Sequence, residues 1–285
     1  MEFMILGTSS GMPTKSRNVS GYGLRKSAVK PWVMIDCGEA TQHQVMRMPV
    51  SLYHLEAIFI THLHGDHCYG LPGLLSTAAM QSRQRPLTIV APAEVLTFVN
   101  AAVVCSQMEL GFELVLVDVT TLAPDFTTEH FAVSVHALSH RTASYAYSFT
   151  EREAPFGKPA RKVVIAGDND EPALLKEAVQ GASFLLHEAT YTQAIAEKIA
   201  TNPQHSYAAQ VAEFAQASAL PALVLSHFSA RYLDFPTQRQ LSLDDIEAEA
   251  SAHYQGNLFI ARDRDIYTLD EAGALSLTQR QRRFR

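Results

Sequence analysis

The sequence predicts an α/β protein built as a sheet sandwich with its chemistry at one rim, and three observations predict it. Strand-like and helix-like segments alternate through 285 residues, without a low-complexity linker or a repeat of fixed period. Several apolar strand-like runs stop on histidine or aspartate, which suggests side chains converging at one rim. With 47% apolar residues the chain can bury a large core, as one large domain or two fused ones.

Taken in order, Phe3–Leu6, Trp32–Asp36, Ala57–Ile60, Leu87–Val90 and Phe112–Val119 read as strands, because each is a short run rich in apolar or aromatic residues. Glu39–Arg47, Leu71–Met80 and Glu94–Cys105 read as the helices between them. The second half repeats the style, with strands near 131–138, 144–150, 162–166, 183–187 and 221–225. Its helices are expected near 171–179, 190–199, 205–218 and 240–254. Both halves supply candidate ligands, so residues 1–285 are expected to act as one unit.

The most informative segment is Thr61-His62-Leu63-His64-Gly65-Asp66-His67, which directly follows the strand-like Ala57–Ile60. A structural loop gains nothing from so many imidazoles and a carboxylate, whereas a metal site does. His62 and His64 lie two apart, so in an extended segment they face the same way and can bind one cation. Gly65 lets the chain turn, so Asp66 and His67 can present to a second cation. Two cations need more ligands, and the strand ends offer them. Phe131–His140 alternates in a strand period and stops on His140, and Lys162–Asp168 is a buried-strand run ending at Gly167-Asp168. Ser183–Glu188 and Ala222–His227 repeat the pattern. His140, Asp168 and His227 are therefore read as ligands, while His187 is as readily a rim residue satisfied by its neighbours.

In this order the motifs resemble ribonuclease Z, the tRNA 3′-processing endonuclease of the metallo-β-lactamase fold. The resemblance spans residues 3 to about 232. It rests on Leu6-Gly7-Thr8-Ser9-Ser10-Gly11-Met12-Pro13, on Pro13-Thr14-Lys15-Ser16-Arg17-Asn18, and on Asp36-Cys37-Gly38-Glu39-Ala40-Thr41-Gln42. It continues through the His62–His67 motif, Gly70–Leu75, His140, Gly167-Asp168, His187-Glu188-Ala189-Thr190, His205-Ser206 and Ser226-His227. The resemblance implies an αββα sandwich with two metals. Metal one takes His62, His64 and His140, metal two takes Asp66, His67 and His227, and Asp168 bridges them. It also implies that Lys15, Arg17 and Asn18 meet the 3′ end of the substrate.

One departure bears on substrate. Family members that bind tRNA well usually insert a long Gly/Pro-rich arm between the segments of His140 and Asp168. Here only residues 141–167 intervene, and what remains is a short turn, 151–162, with basic residues at its end. A short-arm form is therefore expected, with an intact site and a weaker, more salt-sensitive hold on tRNA.

The net charge of −6 argues against indiscriminate nucleic-acid binding, but its distribution is uneven. Lys15, Arg17, Arg25, Lys26 and Lys30 gather near the start, with Arg83, Arg85, the 158–162 turn and the tail 280–285 further on. A basic rim beside the metals is expected from them. Cys37, Cys68 and Cys105 are widely spaced and odd in number, which suits reduced thiols in a cytosol. No leader pattern or membrane-length apolar run is seen, so a cytoplasmic protein without a membrane partner is expected, as a homodimer whose second copy helps hold the tRNA body.

Two divalent cations would lower the pKa of a water between them and neutralise charge on a phosphodiester. Imidazole and carboxylate ligands point first to Zn(II), with Mn(II), Co(II) or Fe(II) as alternatives. Asp66 is placed to orient the nucleophile. His205 is expected to donate a proton to the leaving oxygen, with Glu188 holding its tautomer. Three readings compete: endonucleolytic processing of precursor tRNA, hydrolysis of small or nucleotide diesters, and a non-catalytic binding protein. The full ligand set argues against the third, and the opening motifs argue against a lactamase or thioester hydrolase.

Overall fold

Short β-branched and aromatic runs separated by polar turns form two mixed sheets, each covered on its outer face by helices. The computed structural model describes residues 1–154, 157–199, 204–236 and 240–280. Pro155 and Phe156 of the basic turn and residues 281–285 of the basic tail lie outside the described residues.

The first sheet has eight strands in the spatial order Leu275–Gln279, Ile266–Leu269, Glu2–Gly7, Gly21–Arg25, Trp32–Cys37, Leu55–Phe59, Leu87–Ala91 and Leu114–Asp118. The second has six, in the order Asn257–Ile260, Ala222–Ser226, Phe184–Glu188, Lys162–Ala166, Ser144–Glu151 and Phe131–Leu138. Alternation along each strand sends one set of side chains inward and the other outward. Phe3, Ile5, Val33, Ile35 and Phe59 of the first sheet meet Phe131, Tyr147, Phe149, Val163, Ile165 and Phe184 of the second in the central core. The ring of Phe59 packs edge-on against Phe149 at 5.2 Å, a contact that adds about 0.5–1.5 kcal/mol beyond burial.

The opposite faces take helices. Met4, Trp32, Met34 and Ile58 pack under Leu71–Met80 and Ala93–Cys105. Val164, Leu185, Leu223 and Leu225 pack under Ala208–Ala217 and Leu243–His253. The result is the expected αββα arrangement.

Two expected helices and four strands differ from the sequence reading. The segment near 171–179 forms only a 3-10 turn, Pro172–Leu175. The expected helix near 190–199 shrinks to Gln193–Ala196, because Tyr191 stays extended and bridges to Tyr207. Strands at Gly21–Arg25, Asn257–Ile260, Ile266–Leu269 and Leu275–Gln279 were not expected. In Gly21-Tyr22-Gly23 the glycines hide the alternation. A Cβ on Gly23 would crowd Met4 and Trp32 at 3.0 and 3.3 Å, so the strand needs that gap to admit the indole.

The topology fixes where chemistry can occur. Parallel pairing of Trp32–Cys37, Leu55–Phe59 and Leu87–Ala91, and of Lys162–Ala166, Phe184–Glu188 and Ala222–Ser226, brings their C-terminal ends to one rim. The histidine segment leaves Leu55–Phe59 there and turns into a short helix, Gly65–Cys68. That helix lies against the chain just after Trp32–Cys37, and a Cβ on Gly38 would strike the carbonyl oxygen of Asp66. Gly38→Ala is therefore expected to destabilise the protein by about 1–3 kcal/mol, the usual range for overpacking. Thermal melting checks this, and a melting point equal to that of the parent chain would show that the approach is not rigid.

Candidate metal centre

Three imidazoles and one carboxylate oxygen meet at the rim between the sheets. His62 and His64 come from the segment after Leu55–Phe59, and His140 from the end of Phe131–Leu138. His64 Nδ1 lies 3.1 Å from both His62 Nε2 and His140 Nε2. Asp168 Oδ2 lies 3.5 Å from His62 Nε2 and 3.7 Å from His140 Nε2.

A second group forms beside it. Asp66 Oδ2, His67 Nε2 and His227 Nε2 approach to 3.2–3.5 Å of one another. The other oxygen of Asp168, Oδ1, is 3.4 Å from His67 Nε2 and 3.3 Å from His227 Nε2. Asp168 thus divides its two oxygens between the groups, and the seven ligands expected from the sequence come together.

These spacings fit cations. Bonds of 2.0–2.1 Å at a tetrahedral centre put neighbouring donor atoms about 3.3 Å apart, close to the values found here. At the centre these atoms meet mainly one another, with the Gly11 amide as a further partner of Asp66 Oδ2. Burial holds the pKa of His62 well below its ordinary value, which leaves a neutral ring with a lone pair. Burial also opposes the charged form of His67, yet Asp168, Asp66 and Asp36 outweigh it and raise its pKa well above normal. Without a metal, a proton serves as the cation that these buried carboxylates require. The group fits divalent metal ions.

The far nitrogen of each buried ring is anchored, which sets the direction of the near one. His67 Nδ1 lies 2.7 Å from Asp36 Oδ2, and the other Asp36 oxygen accepts the Thr61 amide at 2.8 Å. His62 Nδ1 meets the Thr61 hydroxyl at 2.9 Å, and His140 Nδ1 meets the Gln204 carbonyl at 2.8 Å. His227 Nδ1 meets the Thr190 hydroxyl at 3.1 Å. Asp36 and His227 both hold left-handed backbone conformations, with φ of 57°. Such strain is tolerated where surrounding contacts over-determine it. The Gly11 amide adds a contact of 2.7 Å to Asp66 Oδ2 from the opening loop.

His205 and Glu188 stand next to these candidate ligands. His205 Nδ1 lies 3.0 Å from each Glu188 oxygen. Burial lowers the pKa of this imidazole, but the charge of Glu188, aided by Asp168 and Asp66, outweighs it and raises the value to about 9. Glu188 is itself fixed by the Asn169 amide at 2.8 Å and by the Thr190 hydroxyl. His187 does not join the ligands: its ring lies between the Asn169 side chain at 3.0 Å and the Glu188 carbonyl at 2.8 Å.

An open cleft of about 640 Å³ leads to the site, lined by Met12, His64, His140, His205, Tyr191, Arg141 and Arg231 among others. The expected basic rim is corrected here. Arg17 is only 3% exposed, and its guanidinium donates to the carbonyls of Tyr232 at 2.7 Å and Ser229 at 3.1 Å. Asn18 is buried, its backbone N–H donating to Asp263 and its side-chain amide to the Val19 carbonyl. Lys15 is the exposed member of that loop. Arg83 and Arg161 are also buried, the first on backbone carbonyls and the second paired with Glu151. The turn carrying Lys158 joins Ser144–Glu151 to Lys162–Ala166 at the opposite rim, about 25 Å away for an eight-residue strand. The cations at the cleft are instead Arg141 and Arg231, which the sequence reading missed. Their signal was position, directly after His140 and four residues after His227.

A family model described as Anti-Pycsar protein Apyc1 matches residues 1–242. A protein of Marinobacter nauticus named Ribonuclease Z is 44% identical over 95% of this chain and 97% of its own length. The Ribonuclease Z of Pseudomonas putida strain W619 is 40% identical over 96% and 98%. The first alignment runs to 316 positions, longer than the 285 residues here, so that relative carries segments this chain lacks. Among solved structures, human tRNase Z, short form, superposes with a TM-score of 0.72 at 30% identity, covering 95% of this chain and all of its own.

Because both groups use Asp168, Asp168→Ala is expected to lose both metals together. Elemental analysis of protein purified without chelator should give about two equivalents for the parent chain and almost none for the variant. Retention of one full equivalent by the variant would remove the bridging role.

Proposed function

The chain belongs to the ribonuclease Z family of the metallo-β-lactamase fold and to the family described as Anti-Pycsar protein Apyc1, and on that footing we propose that it is a metal-dependent endoribonuclease processing the 3′ end of precursor tRNA. The observation that carries this reading is the seven-ligand site at the foot of an open cleft. Bound cations, Zn(II) first among them given the imidazole-rich donor set, would supply an acidified water and neutralise phosphate charge.

The protein's own groups then divide the work. Asp66, held by the Gly11 amide, would orient the attacking water and accept its proton. His205, with Nδ1 held by Glu188, presents Nε2 to the leaving oxygen and donates a proton there. Lys15 is the exposed cation that this loop offers to the substrate, with Arg17 and Asn18 bracing the loop behind it. All of these residues act within one functional unit, since the ligands come from both sheets.

A second reading, hydrolysis of small or nucleotide diesters, is favoured by the short turn at the opposite rim. Incubation with precursor tRNA and with an aryl phosphodiester, each with and without chelator, tests the two. Chelator-sensitive cleavage of the tRNA supports the first reading, and cleavage of the aryl diester alone supports the second.

We also propose a cytoplasmic homodimer. Cys37, Cys68 and Cys105 are unpaired, which suits a reducing compartment. Met46, Tyr69 and Met80 are exposed on or beside helices at the first sheet's outer face, and Leu71–Met80 has no charged residue. An uncharged apolar face suits a second copy better than RNA. No helix among the described residues is long and apolar enough to cross a membrane.

Two outcomes are expected at His205. His205→Ala should keep its metals but slow RNA cleavage by a factor of about 10² or more, with a smaller loss on an aryl diester whose leaving group needs no proton. Equal losses on both substrates would end the general-acid assignment. Glu188→Gln removes the charge that raises the His205 pKa, so the protonated form is lost at lower pH. The alkaline limb of the rate profile should therefore move to lower pH. A limb that stays in place would separate Glu188 from the proton donor.

A further inference from the structure

Buried Arg17 and exposed Arg231 form one device. The Arg17 guanidinium donates to the carbonyls of Ser229 and Tyr232, which bracket Ala230 and Arg231 in the chain. Asp234 receives Arg17 at 3.5 Å and Arg262 at 3.3 Å, and it also accepts the Ser16 hydroxyl. The loop carrying Arg231 is therefore tied to the loop 14–18 and cannot drift as an ordinary surface turn can. On the other side, the Arg231 guanidinium faces the Tyr191 phenol, and its charge opposes the upward push of burial on the Tyr191 pKa. The Tyr191 ring meets His205 edge-on at 6.3 Å, and all three residues line the cleft.

A guanidinium on an anchored loop, open to the cleft and beside the proton donor, suits bidentate recognition of a phosphate. Its position on the His205 side puts it by the leaving group rather than by the attacking water. We propose that Arg231 is a specificity-determining residue that binds the phosphate adjoining the scissile one on the leaving-strand side, and that Arg17 acts through it as a positioning residue. The substrate contact expected of Arg17 is thereby transferred one layer outward. This inference rests on the endoribonuclease reading, because a diester with a single phosphate offers Arg231 no second anion.

The test compares the parent chain, Arg231→Ala, Arg231→Lys and Arg17→Met on precursor tRNA with a 3′ trailer and on bis(p-nitrophenyl) phosphate. For Arg231→Ala the loss in kcat/KM on tRNA should exceed the loss on the aryl diester by at least about tenfold, and the salt slope on tRNA should become shallower by about one unit. Arg231→Lys should recover part of the loss, since it keeps the charge without the fork. Arg17→Met should show the same substrate bias at temperatures below its melting transition. Equal losses of Arg231→Ala on both substrates, with an unchanged salt slope, would overturn the assignment and leave the endoribonuclease reading standing. A parent chain that hydrolyses the aryl diester but leaves tRNA intact would overturn both.

Discussion

The carboxylate of Asp168 is the point on which both sheets depend at their working rim. Its oxygens face two groups of imidazoles, one built mainly from the first sheet's histidine segment with His140, the other joining His67 to His227 across the sandwich. An isolated buried carboxylate would carry a desolvation penalty of several kcal/mol. Placing it between converging nitrogens makes a cation the natural occupant of each gap. The rim loops then serve to keep those gaps in register.

Loops from distant parts of the chain are knitted for that purpose. Ser9–Ser10 pairs with Phe228–Ser229 immediately after the candidate ligand His227, and the Thr8 carbonyl accepts the Phe228 amide at 2.8 Å. The same opening loop reaches Asp66 through Gly11, whose φ of 70° suits a residue without a side chain. One short segment therefore touches the surroundings of two ligands that lie far apart in sequence. This explains why Leu6–Pro13, which contains no ligand, carries so much of the family resemblance.

Much of this was legible in the sequence, and the failures have physical causes. The His62–His67 segment announces itself because its spacing alone determines which side chains can converge. His140, Asp168 and His227 are readable because each stops an apolar strand. Arg17 was not, since a cation's role depends on which carbonyls a loop more than 200 residues away brings to it. Arg161 and Arg83 misled in the same way, their charges being matched inside the protein. Gly21–Arg25 escaped notice because its glycines replace the alternation by which a strand is recognised, and the segment near 190–199 has helix-forming residues overruled by the bridge from Tyr191 to Tyr207.

The turn between Glu151 and Lys162 lies at the far end of the strands that deliver Ser144 and Asp168 to the site. Changes in its length are absorbed by solvent at that end, while strand register preserves the ligands at the other. Length at this end and chemistry at the other can thus vary independently, with the far turn a place where peptide can be grafted or trimmed. A fluorescent reporter or an immobilisation handle inserted there would travel with the enzyme while leaving its metal-binding rim undisturbed.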